Sequence, residues 1–252
     1  MLSLRQDGTV TKEMIDGQKP LIYMDNAATS WPKPPAVAEA MAQCLQEASA
    51  NPGRGSHAMA VRASRVLFEG RKKLAKLFRI ANPNDIAFTL NATHALNMAI
   101  QGYLKPGDHV IATSLEHNSI RRPLEALKRT RGIDVTYIPT DAQGRLDVNR
   151  VEAAIRDRTR MLAVTHSSNL LGSIMPVTEL GSLARSKGAK LLVDAAQSAG
   201  TLAIDVQAMK IDMLAFPGHK GLMGPQGTGG LYLDPELELE PLMYGGTGSR
   251  SE

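Results

Sequence analysis

Residues 190–221 read KLLVDAAQSAGTLAIDVQAMKIDMLAFPGHKG and contain two short apolar runs that each lead to an ionisable side chain. The first run ends at Asp194, and the second is followed a few residues later by Lys220. Runs that are apolar at consecutive positions predict strands buried on both faces, as in a parallel sheet. A carboxylate at the rim of such a sheet needs a partner, because burying an unpaired charge is costly.

From residue 86 onward, short apolar runs alternate with helical patterns. The predicted strands are 86–90, 109–113, 134–138, 160–165, 190–194, 211–216 and 229–233. The predicted helices between them are 92–102, 120–131, 147–156 and 177–187. This alternation predicts an α/β fold with a mostly parallel, seven-stranded sheet and helices on both faces. We expect an N-terminal arm over residues 1–20 and one large domain over 21–252, with two early helices packed against the sheet.

The composition argues against several classes of protein. The net charge of +4 is mild for 252 residues, and the basic residues alternate with apolar positions along predicted helices, as on solvated helix faces. We therefore expect no nucleic-acid partner, and no metal-ligand spacing is present. No apolar run approaches the roughly 20 residues that span a bilayer, so we expect no membrane association. The single cysteine, Cys44, fits a reducing, cytoplasmic compartment and is expected to be buried and inert.

Polar side chains with catalytic potential follow the predicted strands. In a parallel sheet, ligands bind at the carboxyl ends of the strands, where the loops gather. The loops there are Asn91-Ala-Thr-His, Ser114-Leu-Glu-His-Asn, His166-Ser-Ser-Asn, Asp194-Ala-Ala-Gln and Pro217-Gly-His-Lys. The pattern predicts one site at this edge of the sheet.

Asp194 and Lys220 suggest a specific chemistry for that site. A buried carboxylate can pair with a pyridinium nitrogen, and a rigidly placed lysine of lowered pKa can form a Schiff base. The alternative is a structural aspartate with an unrelated surface lysine. Their positions at the ends of two strands, among the other polar loops, favour the first interpretation.

Five motifs occur in the order seen in class V aminotransferase-fold enzymes. They are Tyr23-Met-Asp-Asn-Ala-Ala-Thr, Asn91-Ala-Thr-His, Glu116-His-Asn, Val193-Asp-Ala-Ala-Gln and Gly218-His-Lys. From about Leu21 onward the chain resembles cysteine desulfurases and their relatives the selenocysteine lyases. The resemblance implies a fold-type-I large domain, pyridoxal 5'-phosphate as cofactor and a homodimer. It also implies removal of sulfur from L-cysteine or a similar amino acid, a sulfur-acceptor protein and a role in iron–sulfur cluster assembly.

The resemblance implies roles for the residues around the cofactor ring. Lys220 would form the Schiff base and shuttle a proton, and Asp194 would pair with the pyridine nitrogen. Gln197 would hydrogen-bond the phenolic oxygen of the ring. His117 would stack on the ring and relay protons to the leaving sulfur.

Further roles follow for the phosphate and the substrate. The phosphate would contact Thr93, His219 and the backbone amides of Ala92, Thr93 and His94, and Thr247 would reach the phosphate of the neighbouring subunit. Asn169 would bind the substrate carboxylate or the ring oxygen, and Asn26 and Ala27 would line the substrate side.

Two departures from the family pattern affect these expectations. Pro217 stands where relatives commonly carry a serine or threonine that binds the phosphate, so one contact is missing or supplied elsewhere. Relatives also continue into a smaller C-terminal domain that supplies the persulfide-forming cysteine and an arginine. We therefore expect a truncated product, a fragment or one piece of a split protein. The alternatives are another class V enzyme, such as an aminotransferase, epimerase or selenocysteine lyase, and a non-catalytic cofactor-binding remnant.

Overall fold

The computed structural model describes residues 22–53, 55 and 57–245, together with a short antiparallel pair formed by β1 (Ser3–Leu4) and β2 (Val10–Thr11). Most of the expected N-terminal arm therefore lies outside the described residues, and so does Thr247.

The central element is a seven-stranded sheet in the order β3-β9-β8-β7-β6-β4-β5. Strand β9 is antiparallel to both of its neighbours, and the other six strands run in one direction. This confirms the prediction of a mostly parallel sheet. The strands are β3 (Ile86–Thr89), β4 (His109–Thr113), β5 (Asp134–Ile138), β6 (Thr159–Thr165), β7 (Lys190–Asp194), β8 (Met213–Pro217) and β9 (Gly229–Leu233).

In the described part of the chain, six α-helices accompany the sheet, and those after β3 agree with the predicted spans to within a few residues. Gly132, in the left-handed region at φ 66°, ends α4. No helix in the described ranges is long and apolar enough to cross a membrane. The helices are α1 (Pro35–Glu47), α2 (Ala58–Phe78), α3 (Ala92–Tyr103), α4 (Asn118–Arg131), α5 (Val148–Ala154) and α6 (Val177–Ser186).

Two apolar layers lie on opposite faces of the sheet and explain the uninterrupted apolar runs. Successive side chains of a strand point to opposite faces. In β7, Leu191 and Val193 join the layer that includes residues of α2 and α6, whereas Leu192 joins the layer beneath α3 and α4. Both faces of the sheet are therefore covered by apolar side chains. The polar end of each strand is the first position that can contact solvent or a ligand.

The two N-terminal helices differ in how they pack. Four residues of α2, among them Phe78, are buried, and Phe78 packs against Phe216 of β8. None of the residues of α1 is buried. Cys44 of α1 is only partly buried, so the expectation of a buried thiol was wrong. The reason is that α1 buries none of its side chains against the rest of the described chain.

Candidate active site

One pocket of about 380 Å³ opens at the carboxyl ends of the parallel strands. The loops that follow β3, β4, β6, β7 and β8 all contribute to its wall, as the order of strands in the sheet requires. The structure thus brings together most of the predicted site residues. Those that line the pocket are Ala27, Ala92, Thr93, His117, Asn169, Asp194, Gln197, His219 and Lys220.

Asp194 and Lys220 are the ionisable pair at the floor of this pocket. They follow the neighbouring strands β7 and β8, and Asp194 is only 2% exposed. Burial raises the pKa of Asp194, and the Ala196 backbone N–H, His117 and Lys220 oppose that shift. Burial lowers the pKa of the Lys220 ammonium, and the Asp194 carboxylate opposes that shift. Burial therefore favours a neutral, nucleophilic amine at Lys220, while Asp194 provides the acidic group beside it.

A corner of hydroxyl groups lies at the N-terminus of α3. The Thr93 and Ser119 hydroxyl oxygens are 2.8 Å apart, and both residues line the pocket. Asn91 caps the helix by accepting a hydrogen bond from the His94 backbone N–H at 2.8 Å. A helix N-terminus with free amides and two hydroxyls is a natural anion site.

This corner bears on two of the expectations. The His94 backbone N–H donates to the Asn91 side chain, and His94 does not line the pocket. Pro217 does line the pocket without a hydroxyl. The Ser119 hydroxyl oxygen is the neighbouring hydroxyl, 2.8 Å from both the Thr93 hydroxyl oxygen and His117 Nδ1.

His117 is fixed as the N-cap of α4. Its Nδ1 accepts a hydrogen bond from the Ser119 backbone N–H at 3.2 Å and lies 2.8 Å from the Ser119 hydroxyl oxygen. Because Nδ1 acts as an acceptor, the proton of a neutral ring resides on Nε2. Nε2 is therefore the nitrogen of His117 that is available for proton transfer in the pocket.

The turn at residues 25–28, which precedes α1, forms another wall of the pocket. The Gln197 amide nitrogen donates to the Ala27 carbonyl at 2.9 Å, so one of its two N–H groups is committed and the other is free to bind a ligand. Asn26, by contrast, accepts a hydrogen bond from the Trp31 backbone N–H at 3.2 Å and does not line the pocket. The structure therefore places Ala27, but not Asn26, at the predicted substrate side.

Glu116 is a buried acid next to this pocket. It is 8% exposed, and its Oε1 accepts a 2.6 Å hydrogen bond from the Thr113 hydroxyl. Its Oε2 has no hydrogen-bond partner among the described residues. Burial raises the pKa of Glu116 to about 8, with a further contribution from Asp194, and the Thr113 hydrogen bond opposes the shift. At neutral pH Glu116 is mainly a neutral carboxylic acid, which avoids a second negative charge beside Asp194.

Several residues of the pocket were not singled out from the sequence. Asp25 and Ala28 lie on either side of Asn26 and Ala27, which were singled out. The motif that contains all four residues was therefore the signal that could have identified them. Ser119 lies two positions after His117 at the start of α4, which is the usual place for a side chain that contacts an anion. Thr165 is the last residue of β6, and Ser167 lies in the strand-end loop His166-Ser-Ser-Asn, so their position at the edge of the sheet was the available signal.

A mostly parallel sheet with lysine and aspartate at adjacent strand ends, facing one pocket, defines the large domain of a fold-type-I transferase. Comparison with known proteins identifies the family to which the chain belongs. The chain belongs to the aminotransferase class-V family, whose family model matches residues 22–251.

Individual relatives and structures agree with this assignment. A probable cysteine desulfurase of Methanothermobacter thermautotrophicus is 43% identical over 228 residues, which are 89% of this chain and 56% of the relative. The apo structure of a cysteine desulfurase from Thermococcus onnurineus superposes with a TM-score of 0.84 at 40% identity, covering 89% of this chain and 57% of that one. A structure of SspA in complex with cysteine gives a TM-score of 0.83 at 35% identity, with coverages of 89% and 65%. The chain thus spans a little over half the length of its desulfurase relatives.

Proposed function

We propose that this chain is the cofactor-binding part of a pyridoxal-phosphate-dependent cysteine desulfurase. The observation that carries the proposal is the meeting of Lys220 and Asp194 in one pocket with the hydroxyl corner at Thr93 and Ser119. The similarity to cysteine desulfurases over 89% of the chain supports the reaction, and the similarity to a structure in complex with cysteine supports the substrate.

The donors and acceptors of the pocket fit pyridoxal 5'-phosphate. An amine and a carboxylate on adjacent strands suit its aldehyde and its ring nitrogen, and the N-terminus of α3 with two hydroxyls suits its phosphate. The free N–H of Gln197 suits the phenolic oxygen. When bound, this cofactor withdraws electrons from the α-carbon of an amino acid.

The residues of this chain then perform distinct tasks. Lys220 attaches the cofactor through its Nζ, and afterwards takes and returns the proton of the substrate α-carbon. Burial favours this cycle because it lowers the pKa of the Lys220 ammonium and so makes the proton easier to release. Asp194 would pair with the ring nitrogen, and a neutral Glu116 would avoid a second negative charge beside Asp194. His117 offers its Nε2 to the substrate sulfur.

The overall reaction transfers one sulfur atom. The Cβ–S bond of L-cysteine breaks, alanine forms, and the sulfur joins an acceptor thiol to give a persulfide. Cys44, the one cysteine of the sequence, lies on α1 and does not line the pocket. The proposal therefore assigns the acceptor role to a thiol of another segment or another molecule, such as a sulfur-acceptor protein.

Several expectations from the sequence form part of this proposal. They are a homodimer, a cytoplasmic location, contact of Asn169 with the substrate carboxylate or ring oxygen, and the division into an arm and one large domain. In the dimer, Thr247 of the neighbouring subunit would add to the hydroxyl corner.

Attachment of the cofactor to Lys220 is the direct test. The purified chain is mixed with pyridoxal 5'-phosphate, reduced with borohydride and mapped by peptide mass spectrometry. We expect one dominant adduct on Lys220, none at that peptide in Lys220→Ala, and an unchanged adduct in Lys128→Ala, which removes an exposed lysine of α4. Adducts spread over surface lysines without preference for Lys220 would contradict the cofactor site.

The reaction is tested separately. Alanine release from L-cysteine is followed in the presence of dithiothreitol, which supplies the acceptor thiol and reduces the product to sulfide. We expect alanine from the native chain and none from Lys220→Ala. A cofactor on Lys220 without any alanine would retain the cofactor site and refute desulfurase activity for this chain.

A further inference from the structure

Four donors converge on one backbone carbonyl, that of His219. The Lys33 ammonium lies 2.6 Å from this oxygen, and the Thr29 and Ser30 hydroxyls each lie 3.1 Å from it. The Ser30 backbone N–H donates to the same oxygen at 3.2 Å. A carbonyl oxygen has two lone pairs, so this cluster uses its full capacity and concentrates positive charge on it.

The ammonium makes the strongest contact of the four. It is the shortest of them, and hydrogen bonds from charged donors are stronger than those between neutral groups. The same ammonium donates to the Ser30 hydroxyl at 2.7 Å, which orients that hydroxyl toward the carbonyl. Burial lowers the pKa of Lys33, consistent with an ammonium drawn onto the protein surface instead of extended into water.

The anchored carbonyl belongs to the residue immediately before Lys220. The ring of His219 is held by the same turn, since its Nδ1 lies 3.0 Å from the Thr29 hydroxyl. Backbone and side chain of His219 are thus fixed to residues 29–33, about 190 positions earlier in the sequence. A lysine that must present its Nζ in one place needs such a rigid backbone, because its own side chain has four rotatable bonds.

We propose that Lys33 is a positioning residue for Lys220: its ammonium clamps the His219 carbonyl and so fixes the backbone from which the reactive lysine projects. The inference takes the role of Lys220 from the proposed function, but it concerns the amine itself and is tested without cofactor. Lys33 does not line the pocket, so it acts through His219 and not on a ligand.

The consequence is a change in the reactivity of Lys220. Without the clamp, the 217–221 segment moves more freely, and water reaches an amine that is half-buried in the native chain. The pKa of Lys220 then rises toward the ordinary lysine value of about 10.4. At pH 7.5 the neutral fraction of the amine, and with it the rate of acylation, then falls, and we expect a fall of about threefold.

The experiment is competitive acetylation of the full chain across pH 6 to 10, without pyridoxal phosphate, followed by peptide mass spectrometry at Lys220. In Lys33→Met, which retains the length of the side chain, we expect the pH midpoint of Lys220 to rise and its rate at pH 7.5 to fall about threefold. Lys33→Arg retains a charged donor and should recover at least half of the native rate. Lys72→Met is the matched control, because it removes an exposed lysine that is ion-paired with Glu69 on the surface of α2.

Each outcome bears on the clamp. Ser30→Ala, which removes one donor and leaves the Lys33 contact, should shift the midpoint less but in the same direction, and serves if Lys33→Met does not fold by circular dichroism. Identical Lys220 profiles in the native chain, Lys33→Met and Ser30→Ala would overturn the proposal. A shifted profile together with no cofactor adduct on the native chain would uphold the clamp and contradict the proposed function, so the two failures are distinguishable.

Discussion

The buried acid Glu116 offers a quantitative test of the electrostatics under the site. Its folded pKa of about 8 lies above its ordinary value of 4.5, so the folded state holds the proton more tightly than the unfolded state. The free energy of unfolding must then decrease as pH rises from about 4.5 to about 8, because only the unfolded chain releases this proton. Glu116→Gln removes the titration and keeps the shape of the side chain.

The size of the effect follows from the two pKa values. Each pKa unit corresponds to about 1.4 kcal/mol. Between pH 5 and pH 7 the native chain should lose about 2.5 kcal/mol relative to Glu116→Gln, with a further loss up to pH 8. The quantity to compare is the change of this difference with pH, because other titrating groups are common to both proteins and cancel.

Urea unfolding followed by circular dichroism at pH 5, 6, 7 and 8 measures the difference. Glu69→Gln is the control, because it makes the same change at a half-exposed side chain that is ion-paired with Lys72. If the Glu116→Gln difference varies with pH no more than that of the control, Glu116 is ionised in the folded chain, and the raised pKa of Glu116 is refuted.

Two more changes test other parts of the site and fold. Ser119→Ala removes a hydroxyl from the hydroxyl corner and should weaken the binding of pyridoxal phosphate roughly tenfold, which is the effect of a hydrogen bond to a charged group. The adduct should still form on Lys220. A spectroscopic titration of both proteins measures the affinity, and equal affinities would exclude Ser119 as a phosphate ligand. His109 is buried between the Thr159 and Thr136 hydroxyls at 2.7 and 2.9 Å, and burial and Arg156 lower its pKa against the opposing Asp134, with Arg158 adding to the lowering. The folded chain therefore resists protonation, and stability should fall as pH drops through about 6.5. Urea unfolding of His109→Asn at pH 5 to 7 should show a shallower fall than the native chain, and parallel curves would refute a neutral His109.

The strands and the ionisable pair were predictable because they depend on local pattern. A strand buried on both faces must be apolar at successive positions, and the polar residue that ends the run marks the edge of the sheet. That logic located Asp194 and Lys220, and the helical periods located the elements between the strands. Ordered motifs then indicated the family, which the matched residues 22–251 confirm.

The local sequence pattern did not determine which hydrogen bonds a polar group makes or which helix face is buried. The His94 backbone N–H, expected at the phosphate, donates to Asn91, three residues earlier. Asn26 belongs to a motif of which Asp25, Ala27 and Ala28 line the pocket, and its own side chain accepts a hydrogen bond from the Trp31 backbone. Cys44 lies in an apolar helical pattern, but α1 has no buried face. In each case the deciding contact depends on distances that the sequence does not contain.

By itself, the sequence determined the α/β alternation, the mostly parallel sheet and the lysine and aspartate at its edge. The reason is that apolar periodicity shows which faces of the strands and helices are buried. Only the tertiary structure decided which strands are neighbours, and hence that Thr93 and Ser119 meet, that Glu116 is a neutral acid, and that Lys33 reaches the His219 carbonyl across the fold. The longest of those contacts joins residues 186 positions apart. Their energies arise from burial and hydrogen-bond geometry, which exist only once the chain has folded.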